Sequence, residues 1–285
     1  MSGWSSSRLS ALGIVAAFAL AAGCAKKEAE PVAQAGPNHV VVTAADFTFQ
    51  APDSVTAGLE MFHLVNKGPS IHHIQLVQLD SGKTLADLMT ALKKEGPPPA
   101  WMHQIGGPNA VPPTGVDTAV AYLTLAAGSY ALLCFVPDSA GVPHVMRGMA
   151  RALTVTPSAA TPALTPHADV VVHLKDYDFT ILGNLNAGTH TIRVVNDGPQ
   201  PHEMLIVALP PRKKAMDVVR WVDAGMKGMP PAKPMGGVSG LDPHAAMTVT
   251  ATFAEGNYGL ICFLPDAKDG KEHALHGMVK DITVN

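Results

Sequence analysis

Gly128-Ser129-Tyr130-Ala131-Leu132-Leu133-Cys134 is answered 128 residues later by Gly256-Asn257-Tyr258-Gly259-Leu260-Ile261-Cys262. Each stretch runs on into Pro-Asp, at Pro137-Asp138 and Pro265-Asp266. A His and then Gly-Met follow in both: His144 with Gly148-Met149, and His273 with Gly277-Met278, now 129 residues apart. Upstream, the pairing continues at an offset of 130. Asp46-Phe47-Thr48-Phe49 faces Asp176-Tyr177-Asp178-Phe179, Asn66-x-Gly68-Pro69 faces Asn196-x-Gly198-Pro199, and His72 faces His202. So many matches in one order mark an internal duplication, with small loop insertions accounting for the drift. Between the copies, residues 157–166 are mostly Thr, Pro and Ala, a linker composition. The domains are therefore expected at 38–156 and 167–285, each long enough for its own core, and the second is expected to fold alone.

Each copy reads mostly as short strands. Residues 39–42, 59–65, 74–79, 119–125, 130–136, 153–155 and 170–174 are alternating or β-branched runs between turn residues. The exception is 84–95, where Leu85, Leu88, Met89 and Leu92 recur at helical spacing behind Thr84 as N-cap, with Asp87 supporting it. Residues 215–224 are a poorer counterpart in the second copy. The expected class is all-β: two tandem Greek-key β-sandwiches, each with a short helical insertion. Composition agrees, since 26 Gly and 24 Pro suit a turn-rich β protein. A net charge of −3 offers no basic field for nucleic acid, which is not expected as a partner.

Arg8 opens an uncharged apolar run over 9–22, shorter than the roughly 20 residues a spanning helix needs. It has the length of a signal-peptide core. Leu20-Ala21-Ala22-Gly23-Cys24 resembles the lipobox of bacterial lipoproteins. That resemblance implies a signal peptide over 1–24, cleavage before Cys24 and acylation of its thiol, with 25–37 as a flexible tether. The expected location is periplasmic or cell-surface, with the protein lipid-anchored to a membrane.

Three cysteines are present, one in the lipobox and one in each copy. An exported lone thiol usually oxidises to a bridge unless some chemistry protects it, and a metal would. His72, Cys134, His144 and Met149 supply two imidazoles, a thiolate and a thioether, as do His202, Cys262, His273 and Met278. That is the set a type 1 copper site needs: a trigonal plane of two nitrogens and one sulfur, with a weak axial thioether. On these residues the chain resembles the cupredoxins, the plastocyanin and azurin family. The matching motifs are Asn-x-Gly-Pro-x-x-His, Gly-x-Tyr-x3-Cys and His-x3-Gly-Met, each present twice. The resemblance implies cupredoxin-like domains, up to two copper ions, and single-electron transfer to a redox partner protein. One departure stands out: nine and ten residues separate Cys from His, more than is usual in that family. A tight turn therefore does not place the His.

Two other functions fit the same residues, copper storage or delivery and a metal-free interaction module built on the sandwich. Catalysis is not expected. Tandem cupredoxin enzymes such as nitrite reductases and multicopper oxidases set a His directly beside the Cys. Here Cys134 stands between Leu133 and Phe135, Cys262 stands between Ile261 and Phe263, and none of the 13 histidines forms His-x-His. His73 maps onto Glu203 and reads as a strand residue pointing away from His72. His276 reads as a surface residue. Met226, Met229 and Met235 form a loop that would suit Cu(I), although packing is the commoner use of such residues. Trp101-Met102-His103 has no copy in the second half.

Overall fold

The structure, a computed structural model, describes Met1 and residues 36–285 apart from 95, 114–117 and 162. The signal segment, Cys24 and nearly all of the tether lie outside the described residues. The first half carries β1 (Asn38–Ala45), β2 (Thr48–Gln50), β3 (Ser54–Thr56), β4 (Gly58–Asn66) and β5 (Gln75–Leu79). Helix α1 (Leu85–Leu92) follows, then β6 (Met102–Gly106), β7 (Thr118–Leu125), β8 (Gly128–Leu133) and β9 (Ala150–Thr156). The second half begins with β10 (Val170–Lys175), β11 (Asp178–Leu182), β12 (Gly188–Asn196) and β13 (His202–Leu209). Helix α2 (Ala215–Asp223) precedes β14 (Lys233–Leu241), β15 (Ala246–Phe253), β16 (Gly256–Ile261) and β17 (Val279–Val284).

Side chains alternate across these strands as the pleat requires: Val40, Val42 and Ala44 of β1 and Phe62 and Leu64 of β4 are buried. The strands form two sheets, in the all-β class that the sequence predicts. One sheet runs β11-β10-β12-β15-β7-β4-β1-β2, the other β17-β16-β13-β14-β6-β5-β8-β9-β3. Within the first sheet, β1 pairs in parallel with β4 and β10 with β12. Helix α1 carries the expected cap, with Thr84 and Asp87 bonding reciprocally, and buries Leu88 against Val77, Leu133 and Val145. Among the described residues no helix is long and apolar enough to cross a membrane.

The halves are more closely joined than the duplication alone suggests. Strand β15 pairs with β7 through Thr248↔Tyr122, Val249↔Ala121 and Thr250↔Val120, and β14 meets β6 at Leu241↔Ile105. One hydrophobic cluster takes Phe62, Leu64 and Leu132 together with Val194, Ile206 and Met247. Strand β14 replaces the last part of the expected methionine loop: Met235 lies in it and packs on the core, while Met229 is exposed. Strand β6 is its counterpart in the first half, with Gly106 matching Gly236, although Trp101, Met102 and His103 meet Pro231, Ala232 and Lys233 at that offset and so are not repeated as residues. A further pair at the 130 offset lets the chain approach its neighbouring strand closely within each half. Gly107 has φ +143 and Gly237 φ +111; a Cβ would lie 2.3 Å from the Ile74 oxygen in one and 2.0 Å from the Met204 oxygen in the other. Only glycine permits that approach.

Candidate metal centres

The Asn-x-Gly segments build the first part of each site. Asn66 closes β4, accepts the Gly68 N–H on Oδ1 at 3.0 Å, and donates Nδ2 to the oxygens of Ser70 and Val111. Asn196 repeats these bonds with Gly198, Gln200 and Leu241. The glycine serves space rather than dihedral freedom: a Cβ on Gly68 would lie 2.9 Å from His72 Nε2, and one on Gly198 2.5 Å from His202 Nε2. That clearance lets the buried His72 Nε2 bond Asp46 Oδ1 at 2.7 Å and His202 Nε2 bond Asp176 Oδ1 at 2.6 Å. A carboxylate on one ring nitrogen holds the proton there and leaves the Nδ1 lone pair free to face inward. Asp46 and Asp176 went unassigned in the sequence, although their retention at the 130 offset was visible.

The long Cys-to-His loops return the second His without a tight turn. In the first, Asp138 Oδ1 accepts from the N–H groups of Ala140 and Val142, and His144 N–H then bonds the Val136 oxygen. A one-turn 3-10 helix, His144–Arg147, ends at Gly148 with φ 101. Met149 is thereby pinned beside the site, its N–H on the His144 oxygen and its oxygen accepting from Cys134 N–H. The second loop closes likewise: His273 N–H bonds the Leu264 oxygen, Gly277 has φ 106, and Met278 bonds His273 and Cys262. Both methionines are fully buried within the hydrophobic cluster that holds both cysteines.

Three ligand-type atoms converge in each half. His72 Nδ1 and His144 Nδ1 are 3.1 Å apart, and Cys134 Sγ lies 3.9 and 3.5 Å from them. His202 Nδ1 and His273 Nδ1 are 3.0 Å apart, with Cys262 Sγ 3.4 Å from His273 Nδ1. The centre of the first triangle is about 2 Å from each corner, close to metal–imidazole and metal–thiolate bond lengths. Two imidazole lone pairs and a sulfur facing one another in a dry site suit a soft or borderline cation. The residues present therefore fit a metal ion.

Electrostatics point the same way. Burial pushes the Cys134 thiol up to about 12, against the N–H groups of His73 and Val136 that favour its thiolate. Burial raises Cys262 as well, opposed by the N–H groups of Glu203 and Leu264. Burial also lowers His72, His144 and His202, and takes His273 down to about 4, so the imidazoles are neutral at pH 7. Loading at pH 7 is thus expected to release about one proton per ion, from the thiol. Affinity should fall roughly tenfold for each pH unit lowered, because that proton must leave for the ion to bind. Heats of binding compared in two buffers of different ionisation enthalpy would count the protons.

The other candidates fall differently. His73 is buried, and its Nε2 accepts the Phe135 N–H at 2.8 Å. Glu203, its counterpart, accepts the Phe263 N–H at 3.0 Å, so the two residue types do the same work. His276 bonds Asp269 at 3.1 Å and forms, with Asp266 and Asp269, a third group within metal-binding reach. Asp266 is already taken by Tyr177 and Gln200. The second imidazole of each site meets an aromatic edge, Phe47 on His144 and Tyr177 on His273.

No protein-family model matches the chain, and no curated protein matches it. Among solved structures, auracyanin A, a "blue" copper protein from Chloroflexus aurantiacus, is similar at 22% identity. The match covers 42% of this chain and all of that one, with a TM-score of 0.30. A blue copper oxidase from Nitrosomonas europaea is 15% identical over 87% of this chain and 86% of that one, with a TM-score of 0.26. A copper-containing nitrite reductase from Thermus scotoductus is 11% identical over 88% of this chain and 62% of that one, with a TM-score of 0.25. At such identities the likeness concerns the fold. It does correct one expectation: the similarities that run along most of the chain include an oxidase and a reductase. The exclusion of catalysis drawn from the residues beside each cysteine is withdrawn.

Proposed function

We propose that the protein binds copper at two sites, one per half, and passes single electrons through them. The ligands would be His72, Cys134, His144 and Met149 in one site and His202, Cys262, His273 and Met278 in the other. The observation that carries this reading is the twofold convergence of two Nδ1 atoms and one Sγ, with Asp46 and Asp176 orienting the first imidazole. Copper so held would supply one-electron chemistry. The chain's own part is to keep the donors in place: the Asp–His bonds fix the ring orientation, and the closed loop anchors Met149 and His144 to Cys134. A site that does not rearrange between oxidation states exchanges electrons with little reorganisation, and complete burial of the donors serves that end.

The halves are taken as 38–156 and 167–285, joined by 157–166. Upstream, the Leu20–Cys24 motif supports export and a lipid anchor on Cys24, which would hold the protein at a membrane facing the periplasm or the cell exterior. A redox partner protein is then required to deliver or remove the electrons.

The test is the visible spectrum of residues 38–285 loaded with Cu(II). An intense thiolate-to-copper band is expected, absent from a chain carrying both Cys134→Ser and Cys262→Ser. Weak d–d absorption alone would remove electron transfer and favour copper storage. No stoichiometric uptake would leave only a metal-free module.

A further inference from the structure

At the junction of the halves, three buried side chains link the peptides that follow the two cysteines. Phe135, next to Cys134, donates its N–H to His73 Nε2 at 2.8 Å, and Phe263, next to Cys262, donates to Glu203 Oε1 at 3.0 Å. Asn109 stands between them, donating Nδ2 to Glu203 Oε2 at 3.2 Å, with its side chain beside that of His73. Because His73 Nε2 accepts, its ring proton sits on Nδ1 and is the group left for Asn109. Asn109 cannot swing freely. Its Nδ2 also bonds the Val238 oxygen at 2.9 Å, and its Oδ1 accepts the Ala110 N–H at 2.7 Å. His73, Asn109 and Glu203 are all more than nine-tenths buried. The strap is single: at the 130 offset Asn109 becomes Ser239, whose hydroxyl bonds the Ile74 oxygen instead.

The strap touches the sulfurs from its other side too. The backbone N–H of Glu203 points at Cys262 Sγ at 3.4 Å, and that of His73 faces Cys134 and favours its thiolate. Each end residue therefore meets its cysteine twice, through its own N–H and through the next peptide. In a dry interior, hydrogen bonds in series polarise one another, so a charge change at one sulfur is transmitted rather than screened. We propose that the His73–Asn109–Glu203 strap couples the two candidate metal centres, so that filling one is felt at the cysteine of the other. The inference rests on the metal reading above and adds a regulatory link between the two sites. Such coupling is reciprocal.

The test uses 15N-labelled full chain carrying Cys134→Ser, in which only the second site keeps its thiol, and adds Cu(I) without oxygen. The Phe135 amide is expected to shift in step with one-equivalent uptake at the second site. Adding Asn109→Ala should cut that shift at least threefold. Glu203→Gln is the second variant, since its single oxygen cannot serve both the Phe263 N–H and Asn109, and it should cut the shift likewise. The reciprocal chain, Cys262→Ser, should show the Phe263 amide moving as the first site fills. A second site that fills while Phe135 stays still overturns the coupling, as does an equal Phe135 shift in the folded Asn109→Ala or Glu203→Gln chain. Failure of Cu(I) to enter at all is read separately by equilibrium dialysis, and removes the metal reading together with this one.

Discussion

In a Cys262→Ser chain, where one thiolate site remains, His72→Ala is expected to abolish the copper charge-transfer band, and His73→Ala to leave it in place. His72 offers Nδ1 to the site because Asp46 holds its other nitrogen at 2.7 Å, and nothing nearby replaces an imidazole removed from that position. His73 points away and serves the backbone, accepting the Phe135 N–H. Its loss leaves a buried donor without a partner, which costs roughly 1–3 kcal/mol of stability and moves no ligand. The two variants thus separate on the band: His72→Ala loses it, whereas His73→Ala melts earlier with the band retained. Visible absorption and thermal melts on the same samples decide it. A band that survives His72→Ala and vanishes in His73→Ala would put the strand's register one residue out.

The isolated second half, residues 167–285, is expected not to give a cooperative monomeric melt. Read from sequence alone, its length and complete set of strands argue that it folds by itself. The structure argues otherwise, because β15 and β14 would each lose a paired neighbour, β7 and β6, and stand as bare edges. Unpaired edges of this kind associate with other chains. The core would also be cut, since Met247 and Leu241 pack where Gly106 lies across the junction. Sedimentation and calorimetry on the fragment, beside the 38–285 chain, would show oligomers or a broad transition. A monomer with a sharp melt close to that of the longer chain would mean that the junction pairs are dispensable.

Much of this was legible because a duplication acts as its own control. The strands β4 and β8 and the eight metal-site candidates stand at matching places in both copies, whereas chance features do not; the Thr84 cap of α1 was legible from its own local pattern, since Lys214 stands in its place in the second copy. Strand β14 was obscured because Pro234, Gly236 and Gly237 look like turn residues, although Gly237 is needed there for a close approach to the Met204 backbone. Asp46 was passed over because a lone Asp between strands reads as turn chemistry; only its 2.7 Å contact with His72 gives it a role. The Gly106-Gly107 and Gly236-Gly237 pairs carried the same repeat signal unread.

By itself the sequence determined the β class, the duplication and the residues with metal-binding chemistry, since these follow from local patterning and from the donor atoms each side chain owns. The tertiary structure alone decided which nitrogen of each His faces inward, how nine- and ten-residue loops bring His144 and His273 back to their cysteines, and that the halves share sheets and core. Those outcomes depend on contacts between residues far apart in the chain, such as His72 with Asp46 or β15 with β7. No local pattern encodes such contacts, because their energy exists only once the distant surfaces have met.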